Sequence, residues 1–134
     1  MFYEITSKRT IVDNKGNDKT ISEKFLINGI ELFSEAEVKG YELYNNENDI
    51  VAIKRSNIYE FANNRRNEDD KIFLITIESM FIDDDGNEKS MAYVVGLFAH
   101  NIDEANSVAK NYMSQGMNDM TLIAIKKTKI VDLI

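Results

Sequence analysis

The sequence predicts an α+β protein: an internal duplication of a ββαβ unit, mostly antiparallel sheet with one helix per half, the halves related by a pseudo-twofold. Three observations carry that reading. The stretch "AIKRSNIYEF" at 52–61 returns as "AIKKTKIVDL" at 124–133. When the chain is slid by about 70 residues, "DNKGNDK" at 13–19 falls on "DDDGNEK" at 83–89, with Gly16 on Gly86. The stretch "FSEAEVKGYELY" at 33–44 then falls on "IDEANSVAKNYM" at 102–113 after one deletion, with Ala36 on Ala105. Turn, helix and last strand recur in the same order. A chain of 134 residues thus reads as a single duplicated domain, with repeat 1 over about 1–61, a linker at 62–71 and repeat 2 over about 72–134.

Each element has its own chemistry. The runs "FYEITSKRTIV", "KTISEKFLI", "KIFLITIESMFI" and "SMAYVVGLF" are rich in β-branched and aromatic residues, which favour strands. Gly16 and Gly86 sit among Asp and Asn, the residues that tolerate positive φ in tight hairpin turns. "SEAE" at 34–37 has the spacing of a capping box, Ser34 with Glu37, and opens the first helix. Asp103 or Asn101 caps the second helix, and Gly116 ends it. Small residues one turn apart, Ala36/Gly40 and Ala105/Ala109, let each helix approach a sheet closely, while Tyr41, Tyr44, Val108, Tyr112 and Met113 widen its buried stripe. "ANNRRNEDDK" at 62–71 is polar and unpatterned, as in an exposed, mobile linker. The second hairpin has near-continuous apolar runs, which suggest strands covered on both faces and a central place in the sheet.

Composition removes several functions. There is no cysteine, so disulfides, thiolate metal sites and cysteine nucleophiles are excluded together. The start "MFYEITSKRT" lacks the apolar run of a secretory signal, and no segment approaches the roughly 18 apolar residues of a membrane span. A cytoplasmic protein without membrane contact is the expectation. His100 is the only histidine and is read as a strand-end or near-cap residue, so neither a histidine base nor a zinc set is in view. "DDDGNE" at 83–88 has the density of a calcium loop, but its glycine is fourth where the EF-hand places it sixth, and the matching turn has Lys15 in place of Asp85. A solvated turn is the better reading, and no metal is assigned. No glycine-rich phosphate loop is present, and no cofactor is expected.

The basic pairs are what remain. The net charge is −7, the wrong sign for long-range attraction to phosphate, yet Lys8-Arg9, Lys54-Arg55, Arg65-Arg66 and Lys126-Lys127 with Lys129 are clustered. Each third strand reads apolar, then basic and polar ("KRSN", "KKTK"), then apolar again, as if it left one packed region and entered another. These centres either guard an edge strand against aggregation or touch phosphates. In the second case Lys54, Arg55, Lys126, Lys127, Lys129, Lys8 and Arg9 form the cationic stripe, and Tyr59, Tyr3 or Phe61 supplies a stacking surface, the combination that single-strand binding uses.

From "TISEKFLINGIELFSEAE" at 20–37, together with the start "FYEITSKRT", an "I-K-R" strand and the ending "IVDLI", the chain resembles a small family of domains of unknown function, DUF4494, of Bacteroides-type bacteria and their phages. The resemblance spans nearly the whole length. It implies a phage or mobile-element setting, where some members accompany replication genes, and hence host cytoplasm if the chain is phage-encoded. The first functional expectation is a non-enzymatic module for nucleic acid, single-stranded DNA above all. The alternative is a phage/host interaction protein or counter-defence inhibitor, whose acidic face covers a host protein or which sequesters a signalling nucleotide. No catalytic constellation is visible. A homodimer is open to either, because twofold-like folds often use leftover sheet edges.

Overall fold

A computed structural model describes residues 1–29, 32–116 and 119–134. In chain order the elements are β1 (Phe2–Val12), β2 (Asp18–Asn28), α1 (Phe33–Glu42), β3 (Asp49–Ser56), β4 (Ile58–Phe61), β5 (Lys71–Ile82), β6 (Glu88–Ala99), α2 (Ile102–Ser114), β7 (Asp119–Lys127) and β8 (Ile130–Leu133). The duplicated α+β plan with one helix per half is present. What the sequence wrote as one third strand is two, however, broken at Asn57 in the first repeat and at Thr128 and Lys129 in the second.

The chain divides into two compact units, Met1–Ser56 with Lys129–Ile134, and Asn57–Thr128. The first holds a sheet in the order β3-β1-β2-β8 and the second a sheet in the order β4-β6-β5-β7. Each repeat therefore gives its last strand to the other repeat's sheet. β8 runs parallel to β2 through Lys24, Phe25 and Leu26, and β4 runs parallel to β6 through Val94, Val95 and Gly96. Ile134 completes the first junction by donating its N–H to Leu26 (2.8 Å), and Ala62 completes the second by donating to Gly96 (2.8 Å). At the second crossing the Thr128 hydroxyl and N–H both donate to the Ile72 carbonyl. The polar centres of the repeated strands thus mark where the backbone turns from one ladder to another, and the apolar ends fill the receiving sheet.

The two ladders agree to the residue. Ile5 faces Ile53 and Ile75 faces Ile125, and each pairing slips by one position directly afterwards, between Thr6 and Ser7 and between Thr76 and Ile77. The extra residues of these bulges are Val51 and Ile123, each about half exposed. Both hairpins are long and antiparallel, and each turns on a glycine at positive φ, +79° at Gly16 and +82° at Gly86. The second hairpin does not serve as the centre of one common sheet. Each hairpin is the centre of its own.

One sheet face packs on its helix. In the first unit Tyr3, Ile5, Phe25 and Ile27 surround Ala36. In the second Phe73, Ile75, Ile77, Val95 and Leu97 surround Ala105 and Ala109. Gly40 takes the place of Ala109, and a Cβ there would lie 2.8 Å from Ile50 Cδ1. The opposite sheet face also buries Leu26, Ile72 and Phe98, which explains why β6 reads as a continuous apolar run.

Two local expectations are corrected. α1 begins at Phe33, with Leu32 at the N-cap in extended conformation and no side-chain cap, so Ser34 lies within the first turn and closes no capping box. Phe33, the first residue of the helix, meets the Tyr3 ring edge-on at 4.9 Å. In α2 it is Asn101 that caps, accepting from the Glu104 N–H at 2.9 Å. The expected mobile linker is a hydrogen-bonded loop of the second unit. Asn63 donates through Nδ2 to the Phe98 carbonyl and accepts through Oδ1 from the Phe98 N–H, both at 2.8 Å. The buried Asp70 carboxylate accepts from the N–H groups of Arg66 and Asn67.

Gly96 tests the second junction. A Cβ there would lie 2.6 Å from Phe61 Cζ, in clash with the ring that β4 brings to the sheet. Gly96→Ala should destabilise the protein by about 1–3 kcal/mol in urea unfolding, the cost of overpacking, and Phe61→Leu in the same chain should recover part of the loss.

Candidate nucleic-acid interface

β3 and β7 are edge strands, so all four strand bases sit where a guard against foreign strands would sit. Lys54 faces Glu4 across the ladder and is 3.7 Å from its carboxylate, which also holds Lys24 at 3.5 Å. Arg55 Nε lies 3.1 Å from Met1 Sδ. Arg9 is the most engaged: its Nε donates to Glu23 at 2.9 Å and its guanidinium covers the Tyr44 ring at 4.3 Å. Tyr44 donates to the same carboxylate at 2.8 Å. The hydrogen bond that Arg9 donates to Glu23 raises the Arg9 pKa, and burial followed by the same carboxylate raises that of Tyr44. Lys8, Lys126, Lys127 and Lys129 are exposed, with no ion pair among the described residues. Adjacent strand residues face opposite sides, and accordingly Lys126 lies opposite Leu74 while Lys127 lies opposite Phe73.

Of the three aromatic candidates only Tyr59 is available. Tyr3 is buried against Phe33, and Phe61 is tilted against Phe98 at 5.4 Å. Tyr59 is 67% exposed because it is the extra residue of the bulge where β4 joins β6. Its ring meets Tyr93 edge-on at 5.5 Å, and the Tyr93 hydroxyl points to Met120 Sδ at 3.7 Å. Next to this pair the Tyr112 hydroxyl donates to the Glu60 carboxylate.

Tyr112 also lines a groove of about 320 Å³, of mixed polar and apolar character, that sequence reasoning missed. One wall is α2, through Ser107, Asn111 and Gln115; the other is the loop after β4, through Asn63 and Arg66. The α2 wall was legible in principle, since Ser107, Asn111 and Gln115 recur at four-residue spacing, on a different face from the buried Ala105 and Ala109. The loop wall was not, because it depends on Asn63 binding Phe98 some 35 positions away. Arg66 is exposed at the groove, whereas Arg65 covers the Phe98 ring at 5.0 Å. Lys127 lines a separate depression with Lys71 and His100 beside the α2 N-cap, and His100 Nδ1 is 2.8 Å from Asp69.

The acidic hairpin turn is self-satisfied. Asp83 Oδ1 accepts from the N–H groups of Asp85 and Asn87, as Asp13 does from Lys15 and Asn17. Among the described residues no three His, Asp or Glu side chains are grouped to hold a metal ion, and no helix is long and apolar enough to cross a membrane.

Residues 1–134 match a family described as a domain of unknown function, DUF4494, and the chain belongs to that family. No curated protein and no solved structure matches it.

The titrating groups make two predictions. Burial and the Glu60 carboxylate hold the Tyr112 phenol well above its usual 10.0. An unfolded chain therefore loses this proton first, so the stabilisation is complete below about pH 10 and falls as pH rises beyond it. Tyr112→Phe should flatten the alkaline decline in the urea midpoint. Asp70 behaves oppositely: backbone N–H donors hold its pKa below 3.8, so its contribution is present above that value and lost on acidification. Asp70→Asn should flatten the acid limb.

Proposed function

We propose that this DUF4494 member is a non-enzymatic module that binds single-stranded nucleic acid through its second unit, in the phage or mobile-element setting that its family resemblance implies. One observation carries the reading: Tyr59 is two-thirds exposed and in edge contact with Tyr93, and the same unit holds a groove lined by amides, hydroxyls, one guanidinium and the Glu104 carboxylate. Exposing a large aromatic while its neighbours hold it in one orientation suits base stacking, which tolerates any sequence because every base has a π-face. From Glu104 to Gln115 the α2 wall rises by about 16 Å at 1.5 Å per residue, room for a few nucleotides with Arg66 as a phosphate contact.

The strand lysines enter by availability. In the second unit Lys126 and Lys127 have free charge to offer, whereas in the first Lys54 and Arg9 are spent on Glu4 and Glu23. In a chain of net charge −7 the attraction is local, so affinity falls steeply with salt. Such a module acts in the cytoplasm, that of the host if phage-encoded.

Fluorescence anisotropy with a labelled oligothymidylate at low salt tests this. Tyr59→Ala should weaken binding by about 1–3 kcal/mol, the range for one stacked base. Replacing Lys126 and Lys127, which face opposite sides of β7, together by Ala should lower the slope of log affinity against log salt by about 0.7, the value of one phosphate contact. Absence of binding to any oligonucleotide at low salt would sink the reading.

A further inference from the structure

The two sheets have four edges, and three of them are protected. β3 and β7 carry Lys54-Arg55 and Lys126-Lys127. On the other side β8 and β4 cover only part of their neighbours, leaving Asp18–Glu23 of β2 and Glu88–Tyr93 of β6 without a strand partner on that outer side among the described residues. The β2 stretch, "DKTISE", is charged at both ends, and its Glu23 is tied to Arg9. The β6 stretch, "EKSMAY", ends in four uncharged residues.

The hairpin around that open edge is also apolar on both faces near its tip. Met80 and Ile82 share the face of Ser90, while Phe81 and Met91 share the face of Tyr93. All four are exposed, Ile82 by 70% and Met91 by 58%. The counterparts in the first hairpin are Thr10, Val12, Ile11 and Ile21, of which only Val12 is a strongly exposed apolar residue. An open, uncharged edge flanked by apolar side chains invites another strand.

We propose that the occupant is a second copy of the chain, paired antiparallel through β6 about a twofold axis at Ser90. A twofold perpendicular to a sheet sets one residue opposite its own copy, and the sequence selects which. An axis at Glu88 or Lys89 would oppose like charges. An axis at Met91 would bring Glu88 level with Val94, whose free side already holds Ile58. An axis at Ser90 pairs Lys89 with Met91 and Glu88 with Ala92, opposes no like charges and stops short of β4. It sets Met91 diagonal to its own copy, while Met80, Phe81 and Ile82, one strand further out on β5, extend the apolar surface of each copy. The assignment does not depend on nucleic-acid binding.

The full-length chain, free of cysteine, gives a direct test. Across an antiparallel pair opposite Cα atoms are about 4.5–5.5 Å apart, within the roughly 4.4–6.8 Å that a disulfide spans. Ser90→Cys should oxidise to a covalent dimer, seen on a non-reducing gel, whereas Thr20→Cys, its counterpart on β2, should stay monomeric. In sedimentation the unaltered chain should form a dimer with rising concentration. Met91→Lys, which opposes Lys89 of the other copy, should abolish it with an unchanged circular dichroism spectrum, and adding Lys89→Glu should restore it. A chain that stays monomeric, a Thr20→Cys that cross-links equally well, or a Met91→Lys that still dimerises would each overturn the proposal, as would an edge reserved for a different protein's strand, which leaves Ser90→Cys uncoupled.

Discussion

The reciprocal exchange of β4 and β8 governs the rest of the structure. Each sheet has three strands from one repeat and a fourth from the other, so neither repeat contains all the hydrogen-bond partners its own hairpin uses. The exchanged strands are short, four residues each, yet Ile58 and Ile130 are both buried. They hold by apolar side chains inserted beside β6 and β2 more than by ladder length, which suits parallel strands whose pairing is limited to a few positions. Ties beyond the strands, Ile134 to Leu26 and Ala62 to Gly96, fix each insert at its far end.

Within this shared backbone the repeats have separated chemically. The position held by Glu23 in the first hairpin is Tyr93 in the second, and Arg9 corresponds to Ser79. One unit uses the site for a closed set of Arg9, Glu23 and Tyr44, whose charges and donors satisfy one another. The other opens it into an aromatic pair beside a groove. Duplication here preserves strand register and bulge position while freeing one copy's surface from the other's constraints, and binding chemistry is better sought in what differs between the copies than in what they share.

Local signals carried much of the fold. Positive φ at Gly16 and Gly86, the buried small residues of the helices and the repeated strands follow from steric and periodic rules that act over a few residues. The early start of α1 was hidden because the contact between Phe33 and Tyr3 outweighs a capping sequence, and that contact joins residues thirty positions apart. The break in the third strand was half visible, as a polar centre between apolar ends; which sheet would receive the second part was not, since parallel and edge pairings leave no short-range mark. For the interface, the basic pairs were conspicuous in sequence, yet the structure engages Lys54 and Arg9 with carboxylates. Tyr59 stood out only as one of three aromatics, and its exposure comes from a bulge that periodicity does not encode.

Asn63 gives the β6 edge a direction. Its side-chain amide occupies both the N–H and the carbonyl of Phe98, the two groups a neighbouring backbone would use. One carboxamide thus acts as a peptide surrogate, a one-residue continuation of the lane that β4 begins. Beyond Phe61 the ladder is capped like the end of a zipper, and an incoming strand can engage β6 only from the hairpin tip. A surface open at one end and sealed at the other admits a guest of limited length; β4 sets that limit at Val94, and the Asn63 side chain closes what β4 leaves uncovered beyond it.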